Sequence, residues 1–253
     1  MKFIRQIKEI GAMTKRCMMY TLRNVDNLLT MLFLPIAVLL LFVFVFGGAI
    51  QTGNDNYIDY VIFGILLINI GYGAGTTAVS LNVDLQNGII DRFRTMPIGR
   101  NVVLTGHVLA SIIKNIISTV VLFGLAFLIG FRSIAGFGGW FAAVCILLLY
   151  SLAMTWLAIV FGLIAKTPEG ASAFSYVFLF FPYISSAFVP TKTMPKALRL
   201  LAENQPVTPI NESVRTLLMD LPVGNNVFLS LIWCFGITAV TYSISRWIYD
   251  RKS

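Results

Sequence analysis

A single histidine, His107, and three widely spaced cysteines are all that this 253-residue chain offers toward metal or thiol chemistry. One histidine excludes a paired-histidine H-E-x-x-H zinc site, and neither G-x-S-x-G nor G-x-x-x-x-G-K-[ST] occurs. Without a phosphate loop, the chain has no familiar means of hydrolysing ATP itself. Cys17, Cys145 and Cys234 are odd in number and far apart, with two inside apolar runs. They read as reduced structural residues, not as a disulfide framework or a metal site. His107 likewise reads as a structural residue. Charge is scarce: Asp, Glu, Lys and Arg make up 12% of residues, where soluble domains carry about 25%. The apolar runs also lack a cluster of acids able to relay protons or sodium, which counts against an ion-coupled carrier.

What fills the chain instead is apolar surface, 57% of residues with a mean hydropathy of +0.82. A spanning helix needs about 20 predominantly apolar residues. Six stretches qualify, at about 28–50, 60–82, 105–130, 140–165, 171–190 and 226–246, the third by extending back through Lys114. The first begins too late and runs too long for a cleavable leader, so none is expected. The fold class expected is therefore an all-α integral membrane protein with six transmembrane helices in one domain. The net charge of +8 is spread over short segments between apolar runs, which fits membrane topology and not a nucleic-acid surface. Placing both termini in the cytoplasm puts thirteen Lys and Arg inside against five outside, as the positive-inside tendency requires.

Three segments do more than connect. In residues 1–24, Lys2, Arg5, Lys8, Lys15, Arg16 and Arg23 gather on one side of a helical wheel, with Phe3, Ile4, Ile7, Ile10, Met13, Cys17, Met18 and Leu22 filling most of the other. Such a helix lies in the membrane interface or packs on the cytoplasmic ends of the spans. The segment 84–100 is longer than a linker needs. It predicts a short helix around Ile89 to Thr95, halted before Pro97, with Ile89, Ile90, Phe93 and Met96 beside charges of both signs. That surface suits either docking on a cytoplasmic partner or simple helix capping. Residues 191–222 predict two short helices, Lys196 to Glu203 and Pro209 to about Met219, the second capped by Thr208.

Within the spans, Gly71, Ala74, Gly75 and Ala78 form a small-residue stripe suited to close helix packing. Pro35 and Pro182 would kink the first and fifth spans. Lys114 either snorkels to the inner interface or serves a substrate or coupling role. Asn69, Thr76, Thr77, Ser175 and Ser185 could line a pathway or bond to neighbouring helices.

The whole chain resembles the membrane subunit of ABC-2 type exporters, similar to daunorubicin-type drug-resistance permeases. The most specific strings are Phe188-Val-Pro-Thr-Lys-Thr-Met-Pro195 and Gln205-Pro-Val-Thr-Pro-Ile-Asn-Glu-Ser-Val-Arg215, which look like that family's outer helical hairpin. The resemblance implies that Asp84, Gly88, Asp91, Arg92, Arg94, Pro97 and Arg100 lie on or beside a coupling helix seated in a separate nucleotide-binding subunit. That subunit would bind ATP and magnesium, and this chain would bind no cofactor. A second copy or homologue would complete the pathway, in a bacterial cytoplasmic membrane, for export of drugs or other amphipathic compounds. The competing expectations are a self-sufficient carrier or channel and, last, a membrane enzyme.

Overall fold

The computed structural model describes residues 2–23, 25–48, 57–95, 99 and 101–251, and these are helical with no strand among them. In chain order they form α1 (Lys2–Arg23), α2 (Val25–Leu40) running on as a π-helix (Leu41–Phe46), α3 (Ile58–Gln86), α4 (Ile89–Arg94), α5 (Val102–Ile129) and α6 (Phe137–Ile164). After these come α7 (Pro168–Phe180) with a 3-10 turn (Phe181–Ile184), a second 3-10 turn (Thr191–Thr193), α8 (Lys196–Asn204), α9 (Val207–Leu218) and α10 (Asn226–Arg251).

Four of these helices, α3, α5, α6 and α10, are long and apolar enough to cross a bilayer. The other two expected spans are interrupted. Pro35 leaves α2 helical, and the helix widens to the π form only at Leu41–Phe46, a run of Leu, Phe and Val without a polar residue. In α7 the α-helix stops at Phe180, because Pro182 cannot supply an N–H to the ladder, and a 3-10 turn takes over. Thr167 starts α7 by accepting the Gly170 N–H at 3.1 Å, with Pro168 at the first helical position.

The core is α3. Its most apolar window is 83% buried, against 28% for α5 and 17% for α10, so α3 is wrapped by protein while α5 and α10 present apolar surface outward. Phe63, Ile62, Leu66, Ile70 and Ala74 are fully enclosed by α5, α6, α7 and α9. Among apolar helices in lipid, burial alone gives no preference for a protein neighbour, so association depends on close fit and hydrogen bonds. Ala78, the last residue of the small-residue stripe, supplies the fit. A Cβ on Gly162 of α6 would stand 2.7 Å from the Ala78 carbonyl oxygen and 3.1 Å from its Cα, so the two backbones touch. One turn on, Asn82 Nδ2 donates to the Gly162 and Ala165 carbonyls at 3.0 and 2.7 Å. Gly162→Ala is expected to force these helices apart and cost about 1–3 kcal/mol, seen as a lower thermal midpoint of the solubilised chain.

The α8–α9 pair forms as expected, with one difference. α9 begins at Val207 because Pro206, at φ −65°, already holds helical geometry. The Thr208 hydroxyl therefore does not cap α9; it donates to the Ala202 carbonyl and closes the corner between α8 and α9.

Candidate functional site

Three polar groupings are strung along α3, one at each end and one between. At the Gln86 end, Arg16 of α1 grips Asp84 through two parallel bonds, Nη1 to Oδ2 at 2.6 Å and Nη2 to Oδ1 at 2.8 Å. His107 of α5 is buried, its Nε2 3.2 Å from Asp84 Oδ2 but outside hydrogen-bonding alignment, so that contact is electrostatic. The Arg16 guanidinium also lies 5.4 Å from the centre of the Phe93 ring on α4. Its bonds to Asp84 raise its already high pKa further. Further along α1, Glu9 Oε2 accepts the Gly99 N–H at 3.2 Å. Bonds from Arg5 and then from Gly99 hold Glu9 below the ordinary carboxylate pKa. The segment between α3 and α5 is thus held by α1 at both of its ends.

α4 itself follows from Gly88, whose φ of 65° lies in the left-handed region that glycine enters without strain. That turn redirects the chain off α3 and leaves Asp91 and Arg92 exposed, while Ile90 is buried against Met13, Cys17 and Leu81. The Thr95 hydroxyl closes the helix on the Arg92 carbonyl at 2.8 Å. Arg94 lies on α4 with its side chain outside the described residues, as are Pro97 and Arg100 entirely. Asp91 and Arg92 therefore face outward together, whereas Asp84 points into the molecule and positions α1 against α3.

α1 divides into three strips. Met13, Cys17 and Thr21, at roughly 220–300° on the wheel, are buried on α5 and its neighbours. A Cβ on Gly106 of α5 would stand 2.4 Å from Met13 Cγ. Ile4, Ile7 and Leu22 form an exposed apolar edge, next to the exposed cations Lys8 and Lys15. α1 thus packs on the helical bundle and still exposes an amphipathic surface.

Midway along α3, a seam of hydrogen bonds links three helices. Asn69 Nδ2 donates to Ser118 Oγ at 2.8 Å, Asn115 Nδ2 to Ser151 Oγ at 2.9 Å, and the Ser111 and Thr155 hydroxyls meet at 3.1 Å. Beside it lies a cavity of about 300 Å³, reached by Lys114 and bordered by Asn69 and Thr76. Thr77 is buried and turned back to the Gly73 carbonyl at 3.2 Å. Ser185 sits apart from the cavity, with its hydroxyl bound to the Pro182 carbonyl at 2.6 Å. The Ser175 side chain lies outside the described residues.

At the Ile58 end, Arg215 of α9 is buried. Its guanidinium donates to the Tyr60 and Ser186 carbonyls at 3.2 and 3.0 Å and to Glu212 Oε1 at 2.6 Å, and lies 3.8 Å from the centre of the Tyr60 ring. The Tyr60 hydroxyl donates to the same Ser186 carbonyl at 2.9 Å. From the sequence, Arg215 is a topological charge at the end of a family-like string and Arg16 one cation of an amphipathic helix, with no partner assigned to either. The signal for both was the cost of enclosing a charge in so apolar a chain, which obliges each to find partners.

Among the described residues, no three His, Cys, Asp or Glu side chains gather into a metal-holding group. The functional assembly is a helical core with a charged surface helix at one end, and this agrees with comparison to known proteins. The ABC-2 type transporter family profile matches residues 8–219. The chain belongs to the ABC-2 type transporter family. This ABC-2 chain is 27% identical to the daunorubicin resistance ABC transporter permease protein DrrB1 of Streptomyces coeruleorubidus, over 90% of its own length and 81% of the relative's. It is 26% identical to the probable doxorubicin resistance ABC transporter permease protein DrrC of Mycobacterium tuberculosis, over 76% of its own length and 72% of the relative's. In this ABC-2 chain the matched region takes in α4, the cavity and the Arg215 end.

Proposed function

We propose that this chain is the membrane half of an ATP-driven exporter in a bacterial cytoplasmic membrane, working with a separate nucleotide-binding subunit. The single observation that carries this reading is α4: a short helix with Asp91 and Arg92 exposed, braced from behind by Arg16, Asp84 and Glu9. Bracing of that kind suits a surface that receives force from another protein. ATP and magnesium would be held by that partner, and α4 with the flanking Gly88, Arg94, Pro97 and Arg100 would seat in it.

In this reading α2 with its π segment and α7 with its 3-10 turn complete six crossings. Over Val25–Phe46 the first would rise about 33 Å at helical pitch, close to a hydrocarbon thickness of about 30 Å. Both termini and α4 would then be cytoplasmic, with α8 and α9 on the outer side. A second copy or a homologue would complete the pathway, and amphipathic drug-like compounds are its substrates. The two named relatives, both drug-resistance permeases, support that substrate class.

Arg92→Glu is expected to lower transport by about tenfold, the loss of one charge-assisted contact at the partner, while the chain still inserts and elutes as wild type. Wild-type transport and wild-type stimulation of the partner's ATPase by this variant would refute the docking role of α4. Transport by the chain alone in liposomes, driven by an ion gradient without ATP, would establish a self-sufficient carrier instead.

A further inference from the structure

We propose that the cavity between α1, α2, α3 and α5 is a binding site for an anionic head group, a phosphate or carboxylate, entering from the leaflet that α1 lies against. Lys114 decides the chemistry. Its side chain is 8% exposed and borders the cavity, and among the described residues no hydrogen bond or ion pair reaches its ammonium. A buried charge without a partner is costly, and such groups are retained where they are paired or bind something.

The surroundings remove the alternatives. None of the described residues lining the cavity is acidic, so a cationic occupant would find no countercharge there and would be repelled by Lys114. Asp84, the acid just beyond Val83 on the same helix, is already held by Arg16. Asn69 and Asn115 each give one amide N–H to Ser118 and Ser151, and Thr76 donates to the Gly73 carbonyl at 2.8 Å. Lys114 is therefore the one cationic donor among the described lining residues, with the Tyr20, Tyr72 and Ser80 hydroxyls as neutral donors beside it. Gly73 shapes the wall: a Cβ there would stand 2.0 Å from Asn115 Oδ1, so glycine lets α3 and α5 close around the polar seam.

Position selects an amphiphile. From Lys114, α5 runs on to Ile129, a rise of about 22 Å; against a hydrocarbon thickness of about 30 Å this leaves a gap of about 8 Å to one interface, within the reach of a snorkelling lysine. Tyr20 and Thr21 of α1 border the same cavity, and Lys8 and Lys15 of α1 are exposed beside its apolar edge. A head group at that depth keeps its chains in the bilayer while its charge meets Lys114. The site needs no partner ATPase, so it is testable on the full chain alone and stands or falls separately from the exporter reading.

The test is site-specific acylation of the wild-type chain by a membrane-permeant amine reagent, with modification of Lys114 read by peptide mass spectrometry and normalised to Lys15. In phosphatidylcholine bilayers, where each head-group phosphate is balanced by its own choline cation, Lys114 is expected to react. In bilayers containing phosphatidylglycerol it is expected to react at least about tenfold more slowly, the equivalent of one charge-assisted hydrogen bond. Protection by inorganic phosphate in phosphatidylcholine bilayers, without phosphatidylglycerol, would assign the same site to a free anion. Equal normalised rates under all three conditions would overturn the proposal. As a second measurement, Lys114→Gln is expected to weaken capture of a fluorescent phosphatidylglycerol while Lys114→Arg retains it. Equal capture by all three chains would also overturn it.

Discussion

Replacing Arg215 by methionine is expected to destabilise the chain by about 3–5 kcal/mol, the range for removing one partner from a buried ion pair, and to lower its apparent Tm by roughly 10 °C. Methionine preserves much of the side-chain length, so the loss is electrostatic. Glu212 would keep its charge without its 2.6 Å partner, and the Tyr60 carbonyl and ring would lose the guanidinium above them. Ser186 would be affected less, because its carbonyl still accepts the Tyr60 hydroxyl. Arg215→Lys is expected to recover only part of the stability, since an ammonium neither stacks flat on Tyr60 nor forks between two acceptors. Arg199 of α8 provides the control. Its 2.7 Å pair with Glu203 is exposed on both sides, so Arg199→Met is expected to leave the unfolding curve unchanged. Coincident curves for Arg215→Met and Arg199→Met would show that Arg215 is not a clamp.

The second large effect is expected at Asp84. Asp84→Asn leaves Arg16 and His107 beside each other without the carboxylate between them, at a cost of about 2–3 kcal/mol. That lies below the fully buried range because 35% of the Arg16 side chain meets solvent. Arg16→Gln is expected to cost less, since the remaining Asp84 keeps His107 nearby. The double variant should be no worse than Asp84→Asn alone, which would mark the two residues as one unit in a double-mutant cycle. Limited proteolysis after α4 reports the structural side: in both single variants the segment between α3 and α5 should be cut faster. Additive costs, with unchanged proteolysis, would place the support of α4 elsewhere.

Much of the architecture was legible because hydrophobic length and helical periodicity are local. The short helix expected over Ile89 to Thr95 is present as Ile89–Arg94, and both short helices after Met194 formed. The division of α1 into a cationic and an apolar side was also readable, although only part of the apolar side is exposed and the rest packs on the bundle. What escaped were contacts between residues far apart in the chain. Arg16 and Asp84 are separated by 68 positions, and Arg215 and Tyr60 by 155. A charge count gives every arginine to water or head groups, so it cannot distinguish Arg215 from Arg199. Thr208 misled for the opposite reason: its capping signal was sound, but Pro206 had started the helix before it. Lys114 was recognised as unusual, yet only the packing of four helices revealed the space in front of it.

The backbone contact between Ala78 and Gly162 makes α3 a lever of unequal arms. A crossing this tight resists sliding, so a rigid α3 displaced against α6 would pivot where the two backbones touch. From Ala78 the helix extends about 12 Å toward Gln86 and about 30 Å toward Ile58. In the exporter reading proposed above, a displacement passed from α4 to the short arm would be magnified roughly 2.5-fold at the Arg215 end, by the ratio of those arms. Small movements at the charged end would then become larger ones across the molecule, with the direction reversed.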